Sequence, residues 1–436
     1  MSDLTSHLPA PALGATRPSE RILALDVARG LALLGIFMVN VQVMTQPIGW
    51  LMSGDVQREG PLAQGLHFLT RVLFESKSYP LFSMLFGMGM ALMYQRAQAA
   101  HRPFFSPYLR RLFILAAFGL AHALLIWYGD ILFYYFMVGL VAMWFVRLRP
   151  KALLIIAGVC VAIATIILAG MSVLGAVMAP EGAIPETTAV TTFAEFWQEM
   201  KAGNIETGPV HPAWVAGETD AFANGPYLNA VGMRTINWLS GMIFWLIVMG
   251  TMPHILAMFL LGIAIMKSNP FAESSTLPGL FLKLGLFVGL PGAVTLIAVS
   301  EISGVNTVGA GLAAAGTHVI GPCLSLGYFG LAIQLARRDP SNPVVVGIAS
   351  AGRLGLTNYI MQSVVVAAYA QHWGQGRFGE ISRTDMVVIV LTVYVFQVLY
   401  SPVYLKFFAM GPLEYLWRTG IYLRLPKLRA ARAIAS

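Results

Sequence analysis

About ten stretches of this chain are apolar for long enough to cross a lipid bilayer, and that feature limits what it can fold into more than any other. A membrane span takes about 20 mostly apolar residues. Such runs fall at 22–44, 79–96, 111–128, 131–147 and 152–178, within 233–267, and at 279–299, 308–336, 353–372 and 386–409. In hydrocarbon every backbone N–H and C=O must be satisfied within the chain, so runs of this length become helices. The expected fold class is therefore all-α, a polytopic transmembrane helical bundle. Composition agrees. Hydrophobic residues make up 57% of the 436 and charged residues 11%, against about 25% charged in a typical soluble domain. A globular fold of this length has too much surface to hide so much apolar material.

Loop charge orients the bundle. Arg96, Arg102, Arg110 and Arg111 follow the second run with no acid among them, which marks a cytoplasmic linker. Alternation then places the N-terminus inside and 179–230 outside. That outer segment carries Glu181, Glu186, Glu195, Glu199, Glu206, Glu218 and Asp220 against Lys201 alone. The run 233–267 is ambiguous, because one straight helix of that length would measure about 50 Å. A single crossing there puts Arg337, Arg338, Arg418, Arg424, Lys427 and Arg429 inside, whereas a hairpin puts them outside. The single crossing is favoured, giving about ten spans with both termini cytoplasmic. The expected organisation is a disordered segment 1–20, one transmembrane domain 21–420 with outer loops 45–78 and 179–230, and a basic cytoplasmic tail 421–436. The first run carries Asp26 and Arg29, is too long for a signal peptide and lacks a cleavage site, so it reads as a retained helix.

The net charge of +8 follows from these cytoplasmic clusters, so the partner it implies is the lipid bilayer and not nucleic acid. Cys160 and Cys323 both lie in apolar stretches and form neither a disulfide framework nor a metal site by spacing. No phosphate-binding loop, dinucleotide fingerprint or zinc motif is present, and no permanently bound cofactor or metal is expected.

Ionisable groups at membrane depth are costly and face a bundle interior or an aqueous cavity. Asp26 and Arg29, three residues apart, share a helix face. They form either an anchoring ion pair or a cation, oriented by its carboxylate, for an anionic ligand. Asn40 lies near the outer end of the same run. His122 and Asp130 flank a tight turn, where imidazole can take a proton from a hydroxyl while a carboxylate fixes its tautomer. The plain alternative is a histidine satisfied by packing. His254 and His318 read as structural or pore-facing. Arg353, Asn358 and Gln362 form a polar stripe. With Arg29, Arg110, Arg111 and Arg418, Arg353 suits a cationic cytoplasmic pocket for phosphates, unless these arginines only anchor the cytoplasmic face.

Six stretches carry a family resemblance: RILALDVARGLALLGIFMVN (21–40), KSYPLFSMLFGMG (77–89), YLRRLFILAAFGLAH (108–122), YGDILFYY (128–135), GRLGLTNYIMQS (352–363) and GPLEYLWR (411–418). Through them the chain resembles the YeiB-like family of bacterial membrane proteins, described as a domain of unknown function. That family is distantly similar to membrane acyltransferases, among them heparan-α-glucosaminide N-acetyltransferase and bacterial polysaccharide O-acyltransferases. The clearest shared feature is the LDxxRG opening (Leu25–Gly30) followed by Asn40. The resemblance implies a multi-pass protein of the bacterial plasma (inner) membrane. It also implies acyl transfer from cytoplasmic acyl-CoA, the co-substrate, to a hydroxyl or amine of an envelope glycan, lipid or small-molecule acceptor.

On this reading Asp26, Arg29, Arg110, Arg111 and Arg353 hold the donor. His122 acts as general base with Asp130 orienting it, and Asn40 stabilises the oxyanion. The N-acetyltransferase relatives place their histidine in the loop after the first helix, in a Trp-Asn-Gly context. Here that loop reads TQPIGW (45–50) and its one histidine is His67, the rival to His122. The alternative function is a transporter or carrier of an anionic metabolite, and a structural subunit is a third reading.

Overall fold

The structure is a computed structural model that describes residues 22–53, 59–178, 188–205, 208–243, 250–304 and 307–429. The expected disordered segment 1–20, the acids Glu181, Glu186 and Glu206, and the end of the basic tail lie outside the described residues. The fold is all-α: among the described residues every regular element is a helix, apart from one isolated bridge between Phe408 and Arg429.

The first half of the bundle contains α1 (Leu23–Thr45), α2 (Ile48–Ser53), α3 (Pro61–Leu73), α4 (Ser78–Ala99), α5 (Phe105–Leu125), α6 (Leu132–Ala142) and α7 (Pro150–Met178). Next come α8 (Phe193–Ala202), α9 (Pro212–Ala223), α10 (Tyr227–Ile243) and α11 (Thr251–Lys267). The rest is α12 (Leu277–Leu284), α13 (Leu290–Ser303), α14 (Val308–Arg338), α15 (Pro343–Arg353), α16 (Gly355–Ala370), α17 (Arg383–Phe407) and α18 (Pro412–Tyr422). Among the described residues, six helical stretches are long and apolar enough to cross a membrane: α1, α5, α7, α12 running through a π-turn into α13, α14 and α17. A seventh is added if α15 and α16, bent by 84°, count as one span, and Leu132–Phe145 and Thr251–Lys267 are shorter apolar helices. The chain is a helical, multi-pass membrane protein.

Burial separates the helices by role. Of its most apolar window, α1 buries 61% within the protein and α7 only 22%. α1 is thus the central post, and α7 offers Ile155, Ile163 and Ile166 outward, to lipid. Close packing uses small residues, as expected where lipid supplies no hydrophobic drive between helices. Gly87 of α4 lies against the Phe259 carbonyl of α11, and Gly262 of α11 lies against the Met84 carbonyl of α4.

The two ends of the bundle differ. At the cap end, α2 and α8–α10 gather over the end of α5. Arg234 of α10 donates to the Leu124 carbonyl at 3.0 Å and to Gln371 Oε1 at 2.8 Å. Glu218 of α9 is fully buried and accepts from Ile48 N at 3.0 Å, Asn237 Nδ2 at 2.8 Å and the Tyr128 hydroxyl at 3.3 Å. It thereby ties α2, α9, α10 and the α5–α6 turn together. Burial pushes its carboxyl up to about 7, against the pull of these three donors. At the opposite, tail end, α18 packs on the start of α5 and on the start of α16.

Two readings of elements are sharpened. The ambiguous run 233–267 holds parts of two helices. α10 and α11 are separate, and α11 begins after Gly250, whose φ of +61° suits glycine and whose missing side chain lets α7 approach at Ala164. The helix expected from 353 starts at Gly355 and is preceded by α15, at 84° to it. The loop 45–78 also holds its own helices, α2 and α3.

Candidate functional site

The bend between α15 and α16 exposes backbone donors, and a distant carboxylate satisfies them. Glu414 of α18 accepts from Leu356 N at 2.8 Å and Thr357 N at 3.1 Å through one oxygen, and from the Thr357 hydroxyl at 2.6 Å through the other. Orphan N–H groups at a helix start attract an anion, so the GPLEYLWR and GRLGLTN stretches are pinned to one another. Beside this joint a cavity of about 300 Å³ opens between α1, α4, α5, α16 and α18.

The tail-end mouth of the cavity is cationic. Asp26, Arg29, Arg111, Arg353, Glu414 and Arg418 line it, so four guanidinium groups face two carboxylates. Arg29 donates to Asp26 at 2.7 Å, one helical turn away. Arg111 lies over the Trp417 ring at 5.1 Å and the Phe86 ring at 5.7 Å, a placement that holds a guanidinium flat against apolar surface. Arg353 donates to the Ala409 carbonyl at 2.8 Å, and its buried Nε has no partner among the described residues. Arg110 is absent from the lining. Deeper in, the walls turn apolar, with Ile36, Leu85, Leu115, Ile131 and Leu132, and the cavity reaches Tyr359.

Tyr359 is 4% exposed, and its ring packs on His122 with centroids 5.1 Å apart. Behind it lies a line of three buried groups. His122 Nδ1 is 2.9 Å from Asp130 Oδ1, and His122 Nε2 is 2.9 Å from Ser363 Oγ. The Asp130 carboxylate accepts the hydrogen bond from Nδ1–H, which leaves Nε2 as the acceptor for the Ser363 hydroxyl. Asp130 Oδ2 also accepts from Phe133 N at 2.9 Å, a bond to one of the free N–H groups in the first turn of α6 that fixes the carboxylate there. The fit depends on Gly119: a side chain there would lie 2.6 Å from Asp130 Oδ2 and 2.6 Å from Phe133 N.

Of the residues expected to act together, the structure unites His122 with Asp130, and Asp26, Arg29, Arg111, Arg353 and Arg418 around the mouth. Asn40 is half-buried on α1, outside the cavity lining and without a hydrogen bond to His122 or Asp130, so nothing in the geometry places it at an oxyanion. Asn358 and Gln362 face away from the cavity and bond the Ala351 carbonyl and Gln397. His254 is held by the Tyr79 hydroxyl and the His318 carbonyl, each at 2.9 Å. The rival His67 accepts from Arg383 at 2.6 Å, and burial, reinforced by Arg383 and Arg71, pulls its imidazole down to about 3. An imidazole whose lone pair is already taken by a guanidinium is a poor base.

Sequence reasoning missed Ser363 and Tyr359. Both lie in GRLGLTNYIMQS, four residues apart and so on one helix face. That spacing carries no sign of a histidine 241 residues away. No cluster of ligating side chains able to hold a metal occurs among the described residues.

Residues 265–424 match the family model described as "Protein of unknown function (DUF418)". The chain is 30% identical over 423 residues to the uncharacterised protein YxaH of Bacillus subtilis, covering 94% of this chain and 96% of that protein. It is 26% identical over 414 residues to the uncharacterised protein YeiB of Escherichia coli, covering 92% and 96%. It is 24% identical to an uncharacterised 39.9 kDa protein of Bacillus acidopullulyticus, covering 93% and 95%. No solved structure matches the chain.

Proposed function

The chain belongs to the YeiB-like family of membrane proteins of unknown function, and from that premise we propose that it is an integral membrane acyltransferase. It would move an acyl group from cytoplasmic acyl-CoA to a hydroxyl or amine of an envelope glycan, lipid or small-molecule acceptor. The observation that carries this reading is a cavity whose four-arginine mouth leads along apolar walls to a tyrosine packed on the buried His122–Asp130 pair. Arginine is the residue suited to phosphate, because its planar fork donates in pairs and stays charged. An apolar shaft suits the uncharged arm and acyl chain of the donor. Beyond Tyr359, a histidine whose far nitrogen is held by a carboxylate can act as a general base, an effect worth about 10²–10⁴ in rate.

The six stretches that carry the resemblance support the same site. Asp26 and Arg29 come from the first, Phe86 from the second, Arg111 and His122 from the third, Asp130 from the fourth, Arg353 and Tyr359 from the fifth, and Glu414 and Arg418 from the sixth. In the proposed topology, α4, Leu132–Phe145, α11 and the bent α15–α16 pair cross along with the six longer stretches, giving about ten spans. Both termini are cytoplasmic, in the plasma (inner) membrane of a bacterium, and the tail end faces the cytoplasm because the arginine-rich linkers lie there.

The test is binding of coenzyme A to the purified protein in nanodiscs. Saturable binding is expected, weakened at least tenfold in Arg111→Ala and in Arg353→Ala. A folded protein that binds no coenzyme A would remove the proposed donor and favour a carrier of another anion.

A further inference from the structure

Ser363 is the least explained member of the buried line. A serine inside a helix ordinarily returns its hydroxyl to the carbonyl one turn back, and this chain does so repeatedly: Ser78 at 2.9 Å, Ser83 at 2.7 Å and Ser325 at 3.0 Å. Ser363 keeps only a long form of that bond: its oxygen stands 3.4 Å from the Tyr359 carbonyl and 2.9 Å from His122 Nε2, so a neutral imidazole with its proton on Nδ1 offers the hydroxyl its nearer acceptor. With Asp130 on the other ring nitrogen, three groups from α5, the α5–α6 turn and α16 form a carboxylate–imidazole–hydroxyl relay. Each residue is about 1% exposed. An adjacent oriented base is what converts a weak hydroxyl into a nucleophile.

We infer that Ser363 is a covalent acyl carrier: acyl transfer proceeds through an ester on its Oγ. The inference rests on the acyl-transfer reading above and goes beyond it. In the first half-reaction the Ser363 proton passes to His122 Nε2, and Oγ bonds to the thioester carbonyl carbon. The C–S bond then breaks, and the thiolate leaves with the proton returned from Nε2. In the second half-reaction the acceptor O–H or N–H gives its proton to Nε2, and the acceptor atom bonds to the acyl carbon. The C–Oγ bond breaks and Oγ recovers the proton. No oxidant or reductant is needed, and Asp130 exchanges no proton.

Two further observations fit the ester. The Tyr359 hydroxyl, one turn before Ser363 and on the cavity wall, is buried and donates to no acceptor among the described residues. It is a spare donor for the carbonyl oxygen of an arriving thioester. The arginines that line the cavity lie toward the tail end, while His122 lies in the last turn of α5 beside the cap. An acyl-serine lets the acyl group pass from one side to the other while the bulky, anionic donor stays at its arginines.

The experiment is labelling of the nanodisc-embedded full chain with a small alkyl fluorophosphonate, which reports an activated serine whatever acyl group the enzyme uses, followed by peptide mass mapping. Ser363 is expected to be modified, with the label absent in Ser363→Ala and at least tenfold slower in His122→Ala. With acetyl-CoA and no acceptor, an acetyl group labile to hydroxylamine should appear on the same peptide. Folded wild-type protein that binds coenzyme A but leaves Ser363 unmodified overturns the inference and leaves direct transfer from the donor standing. Acceptor acylation at the wild-type rate by Ser363→Ala overturns it as well. Modification of Ser363 in protein that binds no coenzyme A upholds the nucleophile and rejects the donor.

Discussion

At the residue scale the site is decided by a few close approaches. Asp130 serves both the start of α6 and the His122 ring, and Gly119 leaves it room. Gly119→Ala therefore should displace the carboxylate and cost about 1–3 kcal/mol in stability. Acyl transfer should fall while coenzyme A still binds, since the arginine mouth is untouched; thermal unfolding and binding on one preparation check this. Asp130→Asn should keep the shape but lose the charge that fixes the tautomer, lowering the transfer rate about 10²–10⁴-fold with donor binding unchanged. Part of this was legible in the chain itself: Asp26 and Arg29 share a helix face by spacing, and His122 and Asp130 are neighbours across one turn. Ser363 was not, because only the packing of α16 on α5 brings it to His122. Nor was Glu218, which reads in sequence as one of seven acids of an outer segment and is wholly buried.

At the scale of elements, local patterns placed most helices but not their breaks. Continuous hydropathy hides the left-handed Gly250 and the sharp turn between α15 and α16, because neither interrupts the apolar run. Contacts between α4 and α11 are set by glycines, so Gly262→Val should disrupt that pair and cost about 2–4 kcal/mol, read as a lowered midpoint of thermal unfolding in detergent. The cap should respond to pH through Glu218. Its carboxyl holds a proton in the folded state up to about 7, above the 4.5 of a free side chain. The folded state therefore binds more protons between those values, and stability falls as pH rises through that window and levels off above about 7. Glu218→Gln should flatten this dependence, and melting curves at pH 5 and pH 8 test it.

At the scale of the whole molecule, a cationic mouth toward one end of the bundle is joined to a buried relay near the other. Composition and run length sufficed for a helical membrane protein. Charge placement also grouped Arg29, Arg111, Arg353 and Arg418 on one side, but the omission of Arg110 from the cavity and the cavity's reach to Tyr359 depend on side-chain packing. The proposed orientation makes its own prediction. In intact cells a membrane-impermeant maleimide should label Asn204→Cys in the cap and spare Ala99→Cys at the end of α4, in a background lacking Cys160 and Cys323. The most direct measurement is an electron cryo-microscopy structure of the nanodisc-embedded protein with coenzyme A. Density for its phosphates is expected between Arg29, Arg111, Arg353 and Arg418, with the thiol end directed toward Tyr359. An empty cavity at saturating ligand, or coenzyme A bound elsewhere, would contradict it.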